Sequence, residues 1–238
     1  MKKFAVFDID GTLIRWQLYH AIADQLVKLG YVYQKEYASI REARANWKRR
    51  AASFKTYEEQ LVKVYGQVLK TLSVAQLETA AQAVFDEYKD QVYTYTRDLI
   101  GQLKEDSYRI LAISGSQTEI IAMMADYYGF DDYLGTDYKR KDKKFTGAST
   151  FYAADKAKAL RSLVKKHNLS LEGSIAVGDS ASDAAMMEIV ARPIAFNPDE
   201  DLYKIARACA WEIVLERKNM IYELRAEDGR YVLAKTGG

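Results

Sequence analysis

Short apolar runs alternate with helical patterns along most of the chain. The runs "KFAVF", "YRILAI", "SIAVG" and "RPIAF" are separated by stretches with apolar residues at helical spacing, such as "TEIIAMMADYYG" and "DKAKALRSLVKKHN". This alternation is typical of a parallel sheet covered by helices on both faces. It predicts an α/β fold with a doubly wound, Rossmann-like parallel sheet. Beyond the last run, "MIYELRAEDGRYVLAK" predicts a hairpin that turns at Asp228-Gly229.

The stretch between the first and second apolar runs is helical throughout. It opens with "RWQLYHAIADQLVKLG", and two later capping-box signals predict helices that start at Thr56 and Ser73. Because no buried-strand pattern occurs here, we predict an all-helical cap of residues 15–97, inserted after the first strand. The α/β core then consists of residues 1–14 and 98–238.

Composition narrows the class of protein. The 238 residues are 49% hydrophobic and 29% charged, which is typical of a folded chain with a sizeable core. The formal net charge of +2 gives no electrostatic case for binding nucleic acid or an anionic membrane, and no apolar run is long enough for a membrane span or a signal peptide. The single cysteine, Cys209, lies in an apolar helical pattern, so we expect it to be buried and reduced in a cytoplasmic protein.

Polar residues follow three of the apolar runs. Ligands of an open parallel sheet bind beyond the carboxyl ends of its strands, so residues at these positions should meet in space. One lysine at the start of a helix should join them. The residues that we expect to meet are Asp8, Asp10 and Gly11 after "KFAVF", Ser114 and Gly115 after "YRILAI", Asp179 and Asp183 after "SIAVG", and Lys156.

These residue types suit phosphate chemistry on a hard metal ion. Asp8 and Asp10 are two residues apart, so they point to one side of an extended segment, as a nucleophile and an acid/base partner require. Gly11 lets the backbone approach an anion closely, and Ser114 offers a hydroxyl donor. Oxygen ligands suit Mg²⁺, and Lys156 offsets the charge of the carboxylates and a phosphate. Each short motif is weakly specific, and the prediction depends on their joint occurrence in this order.

Together the segments resemble the haloacid dehalogenase-like (HAD) superfamily, in particular its phosphoserine-phosphatase-like branch with a helical cap. "DIDGT" matches the first motif, "SGS" the second, "DKAKAL" the lysine motif and "GDSASD" the fourth. The resemblance implies that Asp8 attacks phosphorus to form an aspartyl-phosphate, and that Asp10 acts first as an acid and then as a base.

The resemblance also implies the remaining roles in the site. Mg²⁺ would be held by Asp8, the backbone carbonyl of Asp10, and Asp179. Asp183 would support the metal site or the lysine. The residues that would bind the phosphoryl group are Gly11, Ser114, Gly115 and Lys156.

The cap departs from the pattern of the phosphoserine phosphatases. Those enzymes have a glutamate after the first motif for the substrate ammonium and a cap arginine for its carboxylate. This chain has Gln17 at the first position and Tyr65 near the second. The resemblance therefore does not extend to phosphoserine as the substrate, and Trp16, Gln17 and Tyr65 are candidates for a different substrate pocket. We expect His20 to be a helix-face residue rather than a pocket residue.

The sequence thus predicts a cytoplasmic, Mg²⁺-dependent phosphatase that acts on a small phosphorylated metabolite, with no nucleic-acid or membrane partner. A phosphotransferase with an alcohol acceptor is an open alternative. A non-catalytic scaffold for Mg²⁺ and phosphate is another, although it would need neither a nucleophile nor an acid/base partner. A receiver-like signalling domain fits poorly, because such domains are about half this length and do not carry the phosphorylated aspartate on the first strand.

Overall fold

A computed structural model describes residues 2–237, with the side chain of Lys55 left out. Its centre is a mixed sheet in the order β4-β3-β2-β1-β5-β6-β7-β8-β9. The strands are β1 (Phe4–Phe7), β2 (Arg109–Gln117), β3 (Asp132–Lys141), β4 (Lys144–Thr150), β5 (Ile175–Gly178), β6 (Arg192–Phe196), β7 (Glu212–Arg217), β8 (Met220–Glu227) and β9 (Arg230–Gly237).

Helices cover this sheet and fill the long connection between β1 and β2. The helices of that connection are α1 (Leu18–Lys28), α2 (Ala38–Lys48), α3 (Phe54–Leu69), α4 (Val74–Tyr88) and α5 (Thr94–Glu105). The later helices are α6 (Thr118–Tyr128), α7 (Lys156–His167), α8 (Ala184–Met187) and α9 (Glu200–Ala208). In the part of the chain that the structure describes, no helix combines the length and hydropathy needed to cross a bilayer.

The six strands from β3 to β7 along the sheet run parallel, and β1 lies in their middle. It pairs with β2 on one side and with β5 on the other. All four residues of β1 are buried, with Phe7 in the hydrophobic cluster on one face and Phe4 and Val6 in the cluster on the other. This two-sided burial explains the continuous apolar runs in the sequence and confirms the predicted doubly wound core.

Helices α1 to α4 form a bundle beside the carboxyl ends of the central strands. Ser73 caps α4 with a complete capping box, as predicted. The predicted start of a helix at Thr56 is wrong: α3 begins at Phe54, because Ser53 is the N-cap and its hydroxyl accepts the backbone N–H of Thr56. Two hydroxyl residues three positions apart made the cap ambiguous in the sequence.

The chain leaves the sheet and returns to it through two adjacent segments. Ile14 pairs with Val92, and the Arg15 side chain forms an ion pair with Glu216 of β7. Helix α5 then begins at Thr94 and packs on β2. The predicted boundary at residue 97 therefore falls inside a helix of the core, because a helical pattern does not distinguish a core helix from a cap helix.

Two hairpins extend the parallel sheet at its edges. The β8–β9 hairpin turns at Asp228 and Gly229, which confirms the prediction. The β3–β4 hairpin was not predicted, and it turns at Asp142 and Lys143, both with positive φ.

The expectation of a buried Cys209 is wrong: it caps the end of α9 and is exposed, since the helix ends there.

Candidate active site

The carboxyl ends of β1, β2 and β5 bring the predicted polar residues together. Asp8 and Asp10 follow β1, and Ser114 lies in β2. Asp179 and Asp183 follow β5, the strand that pairs with β1 on its other side. Lys156, the first residue of α7, points to the same edge. Asp8, Asp10 and Lys156 are 5%, 8% and 2% exposed, so this charged group is enclosed.

Lys156 joins two of the carboxylates. Its Nζ donates to Asp8 Oδ1 at 2.7 Å and to Asp183 Oδ1 at 2.5 Å. A buried ammonium is tolerated only when it is paired, and losing its partners would leave an uncompensated charge in a medium of low polarity. The two carboxylates therefore fix the position of the ammonium beside Asp8.

Asp183 also braces the loop after β5. Its Oδ2 accepts the backbone N–H groups of Asp179 and Ser180, each at 3.1 Å. Gly178 makes room for this carboxylate, because a Cβ at that position would lie 2.5 Å from the Asp183 side chain. Asp183 thus orients both Asp179 and Lys156.

Asp10 has an entirely different set of partners. Its Oδ2 accepts the Ser114 hydroxyl at 2.6 Å, and its Oδ1 accepts the Ser116 hydroxyl at 3.0 Å and the backbone N–H of Leu18 at 2.5 Å. Ser114, predicted to bind phosphate, donates to Asp10 here. Ser116 was named in the "SGS" segment without a role, and the structure adds it as a partner of Asp10.

Three carboxylates form a compact group that suits a metal ion. Asp8, Asp179 and Asp183 each offer an oxygen, and these oxygens lie within 4.8 Å of one another. Thr12 donates to Asp179 Oδ1 at 3.1 Å, a contact that the sequence did not predict. Gly11 has φ +85°, and a Cβ there would collide with the Asp179 carboxylate. A side chain at Gly11 would therefore disturb this group.

Burial and mutual repulsion raise the pKa values of the carboxylates. Burial raises the pKa of Asp8 to about 7, against the attraction of Lys156 and with the repulsion of Asp183 and Asp10. Burial and the charges of Asp8 and Asp183 raise the pKa of Asp179. Three carboxylates face one ammonium, so the group has excess negative charge, and a divalent cation fits this donor set.

The pKa of Asp10 is also raised, but its hydrogen bonds oppose the effect of burial. Burial raises its pKa, while the hydrogen bonds from Ser114, Leu18 and Ser116 oppose the rise. A raised pKa favours the form that carries a proton, which is the form that a general acid needs.

The start of α1 contacts this site on the side of Asp10, where the backbone N–H of Leu18 donates to its carboxylate. Trp16 and Gln17 lie just before α1 and are partly buried, and Gln17 is the N-cap residue without a side-chain capping bond. Tyr65 is buried, and its ring centroid lies 4.8 Å from that of Tyr19. Glu58 of α3 was not predicted: burial of its carboxyl and the charge on Asp10 raise its pKa, which places it on this side of the cap.

His20 does not take part in the site. It is buried on α1, stacked on Phe54 with ring centroids 5.5 Å apart and edge-on to Tyr57 at 4.9 Å.

Gly115, predicted to approach the phosphate, lies in β2 with its Cα facing Phe151 and Ala153.

Comparisons with known proteins identify relatives of this chain. The model of the haloacid dehalogenase-like hydrolase family matches residues 5–188. Phosphoserine phosphatase SerB1 of Mycobacterium tuberculosis is 32% identical over 145 residues, which are 59% of this chain and 47% of that protein. The phosphoserine phosphatase of Archaeoglobus fulgidus is 28% identical over 208 residues, 86% of this chain and 55% of that protein. The chain thus spans about half the length of these curated relatives.

Solved structures share the fold. A protein of unknown function from Bordetella pertussis Tohama I superposes with a TM-score of 0.72 and 21% identity, over 90% of this chain and 98% of that one. A phosphoserine phosphatase in its apo form superposes with a TM-score of 0.62 and 23% identity, over 86% of this chain and 90% of that one. At these identities the likeness is one of fold.

Proposed function

Because the chain belongs to the haloacid dehalogenase-like hydrolase family and resembles its phosphoserine phosphatases, we propose that it hydrolyses a small phosphomonoester through an aspartyl-phosphate on Asp8. The observation that carries the proposal is the contrast between the two carboxylates after β1. Asp8 faces the ammonium of Lys156, while Asp10 faces two hydroxyls and a backbone N–H. One is suited to attack and the other to exchange a proton.

In the first step a carboxylate oxygen of Asp8 forms a bond to phosphorus, and the bond from phosphorus to the ester oxygen breaks. Asp10 gives its proton to the departing oxygen, which leaves as an alcohol. Lys156 holds Asp8 in position and offsets the charge that gathers on the phosphoryl oxygens. Burial of Asp10 raises its pKa and so favours the protonated form at the start of this step.

In the second step water attacks phosphorus and the acyl-phosphate bond breaks. Asp10, now ionised, takes the proton of the water, and Asp8 returns to its starting form. Two easier displacements thus replace one difficult one. The enclosure of Asp8 and Asp10 limits the access of other water molecules to the intermediate.

Magnesium is part of the proposal. Asp8, Asp179 and the backbone carbonyl of Asp10 would hold the ion, with Asp183 bracing the loop that carries Asp179. When bound, the ion supplies positive charge that favours the ionised form of Asp8 and neutralises a phosphate. A phosphate dianion with Asp8 and Asp179 ionised carries four negative charges, and the ion and Lys156 together compensate three of them.

Backbone and side-chain donors would bind the phosphoryl oxygens. Lys156 donates beside Asp8, and the backbone N–H of Gly115 would be a further donor. The N–H of Gly11 donates to the carbonyl of Ile14 at 2.9 Å, so Gly11 would have to exchange this hydrogen bond to bind a phosphoryl oxygen. Ser114 would exchange its hydrogen bond to Asp10 for one to a phosphoryl oxygen when substrate binds. The substrate is a small phosphorylated metabolite of the cytoplasm in this proposal.

The test is phosphate release from a panel of esters, with Mg²⁺ and with a chelator. The panel contains an aryl phosphate, phosphoserine, phosphocholine, phosphoethanolamine, sugar phosphates and nucleoside monophosphates. We expect Mg²⁺-dependent release from at least one ester. Transfer to an added alcohol in place of release would indicate a phosphotransferase, and a folded protein that consumes no ester would contradict the proposal.

A further inference from the structure

Buried polar atoms without a hydrogen-bond partner are concentrated in one place among the side chains that the structure describes. They belong to three residues: the hydroxyl of Tyr65, both amide atoms of Gln117, and Oε2 of Glu119. Tyr65 and Gln117 are 3% and 0% exposed. Unpartnered buried groups are few in native proteins, so each requires an explanation, and a ligand that supplies the missing partner is one.

These three residues are neighbours in space. The Tyr65 hydroxyl lies beside the Gln117 amide without hydrogen-bond geometry, and the charge of Glu119 acts on it. Two further tyrosines complete the group: the rings of Tyr19 and Tyr138 lie 4.8 Å and 5.9 Å from that of Tyr65. We call Tyr19, Tyr65, Gln117, Glu119 and Tyr138 the tyrosine cluster.

The tyrosine cluster adjoins the catalytic carboxylates. Ser116, the residue before Gln117, donates to Asp10 at 3.0 Å and accepts the backbone N–H of Tyr19 at 2.9 Å. In the proposed reaction Asp10 protonates the departing oxygen, so the carbon skeleton of the leaving alcohol extends from phosphorus on the Asp10 side. The tyrosine cluster lies on that side.

The cluster is divided between two parts of the fold. Tyr19 and Tyr65 belong to the helices inserted between β1 and β2, whereas Gln117 and Tyr138 belong to strands of the sheet. Separation of these helices from β2 and β3 would expose the unpartnered atoms. A substrate that enters between the helices and the sheet would then form hydrogen bonds to unpartnered atoms on both.

We propose that the tyrosine cluster binds the leaving group of the substrate, and that this group is a neutral polyhydroxy compound, such as a polyol or a sugar. This inference rests on the proposed function. The unpartnered set contains both donors and acceptors: the Gln117 amide supplies both, the Tyr65 hydroxyl supplies both, and Glu119 Oε2 accepts. A chain of hydroxyls, each of which donates and accepts, satisfies such a set better than an ion does.

The fixed charges point to the same class of ligand. Arg140, the basic side chain beside the cluster, forms an ion pair with Glu119 and lies 3.6 Å from Glu78, so it is already compensated. A substrate carboxylate would therefore have to compete with Glu119 and Glu78 for Arg140. A substrate ammonium would find carboxylates in Glu119 and Glu58, but it would leave the amide N–H groups of Gln117 without acceptors.

The experiment measures kcat and KM for glycerol phosphate, sorbitol phosphate, phosphoserine, phosphocholine and nitrophenyl phosphate. The variants are Tyr65→Phe and Gln117→Met, which remove hydrogen-bonding atoms and keep most of the volume. We expect the two polyol phosphates to have the highest kcat/KM. Each variant should raise their KM by about tenfold and should lower the ratio of their kcat/KM to that for nitrophenyl phosphate, whose leaving group has no chain of hydroxyls.

Melting temperature separates recognition from a structural role. The Tyr65 hydroxyl has no partner inside the protein, so Tyr65→Phe should leave the melting temperature unchanged or raise it. The matched control is Tyr57→Phe on the same helix, whose hydroxyl accepts a hydrogen bond from Arg44 at 2.8 Å. That change should lower the melting temperature and leave the preference among esters unchanged.

The outcomes distinguish the two proposals. Turnover of nitrophenyl phosphate with a preference for phosphoserine or phosphocholine overturns the assignment of the tyrosine cluster and leaves the proposed function intact. An equal loss for every ester in Tyr65→Phe, or a lower melting temperature of that variant, also overturns it. No turnover of any ester by the folded protein overturns the proposed function and this inference with it.

Discussion

The catalytic end of the sheet and the tyrosine cluster are both buried and polar, but their polar atoms are satisfied in opposite ways. At the catalytic end, Lys156 pairs with two carboxylates and Asp10 accepts three hydrogen bonds. In the tyrosine cluster, four buried atoms have no partner. The first region holds its groups in place before a substrate arrives. The second has hydrogen-bond donors and acceptors that, in our proposal, the substrate would pair. In the two proposals, chemistry and recognition thus rest on different physical principles in one molecule.

The difference follows from where each set of residues lies in the fold. The catalytic groups follow rigid, buried strands and the start of one helix, so the backbone fixes their positions. The tyrosine cluster combines helices of the insertion with strands of the sheet. Its geometry depends on how these two parts contact each other.

The most severe test of this division is Asp8→Asn, which removes the nucleophile and preserves the size of the side chain. We expect a loss of turnover of at least about 10³-fold for every ester, because the covalent route is no longer available. Phosphate release in the steady state measures it. The matched control is Asp126→Asn on the exposed side of α6, which should retain activity. Comparable turnover by Asp8→Asn and the wild type would show that Asp8 is not the nucleophile.

The second test concerns the buried ion pairs at the catalytic end. Lys156→Met leaves Asp8 and Asp183 without their ammonium, so the free energy of unfolding should fall by about 3–5 kcal/mol. Urea denaturation without metal measures this change. The control is Lys165→Met, an exposed lysine of the same helix, which should change stability by less than about 0.5 kcal/mol. Equal effects of the two substitutions would mean that the buried pairs do not hold this end together.

The third test adds the metal. Mg²⁺ at about a hundred times its dissociation constant should raise the free energy of unfolding by about 2.7 kcal/mol, because the folded carboxylates bind it and the unfolded chain does not. Melting curves with Mg²⁺ and with a chelator measure the effect. In Asp179→Asn the increase should be much smaller, whereas in Tyr65→Phe it should be unchanged. An identical increase in Asp179→Asn would show that the metal binds elsewhere in the protein.

The fourth test concerns pH and a histidine of helix α1. Burial and the charge of Arg44 lower the pKa of His20 from 6.5 to about 4, against the charge of Asp24. Between these values the unfolded chain binds more protons than the folded chain. The stabilisation is therefore complete above about pH 6.5 and is lost as pH falls towards 4, by on the order of 2–3 kcal/mol.

Urea denaturation at several pH values compares the wild type with His20→Phe. The phenyl ring can occupy the same place between Phe54 and Tyr57 but does not titrate. The stability of the variant should decrease less steeply between pH 6.5 and 4. Parallel curves for the two proteins would show that His20 is not held in its neutral form.

The sequence predicted which residues meet at the carboxyl ends of β1, β2 and β5, because few physical rules decide it. A buried strand must lie inside the sheet, and the residue after it must lie at the carboxyl edge, so Asp8 and Asp179 meet although 170 residues separate them. The pairing of Lys156 with Asp183 could not be derived in the same way. It depends on the rotation of α7, which no local pattern specifies.

The cap and the sheet edges were harder to predict. Tyr65 was a candidate for the substrate pocket, but Gln117, Glu119 and Tyr138 were not, because their proximity depends on how Tyr65 of α3 approaches the strands of the sheet. The β3–β4 hairpin was missed because β4 is mostly exposed and polar, so it shows no apolar alternation. Both cases reflect tertiary contacts that leave no periodic signal in the sequence.

The most direct test of the central claim is to trap the phosphorylated enzyme. The protein is mixed with nitrophenyl phosphate and Mg²⁺ and quenched in acid within a single turnover, and its proteolytic peptides are weighed by mass spectrometry. The account predicts one phosphoryl group on the peptide that contains Asp8, and none in Asp8→Asn. Release of phosphate with no label on that peptide at any quench time, together with an active Asp8→Asn variant, would contradict it.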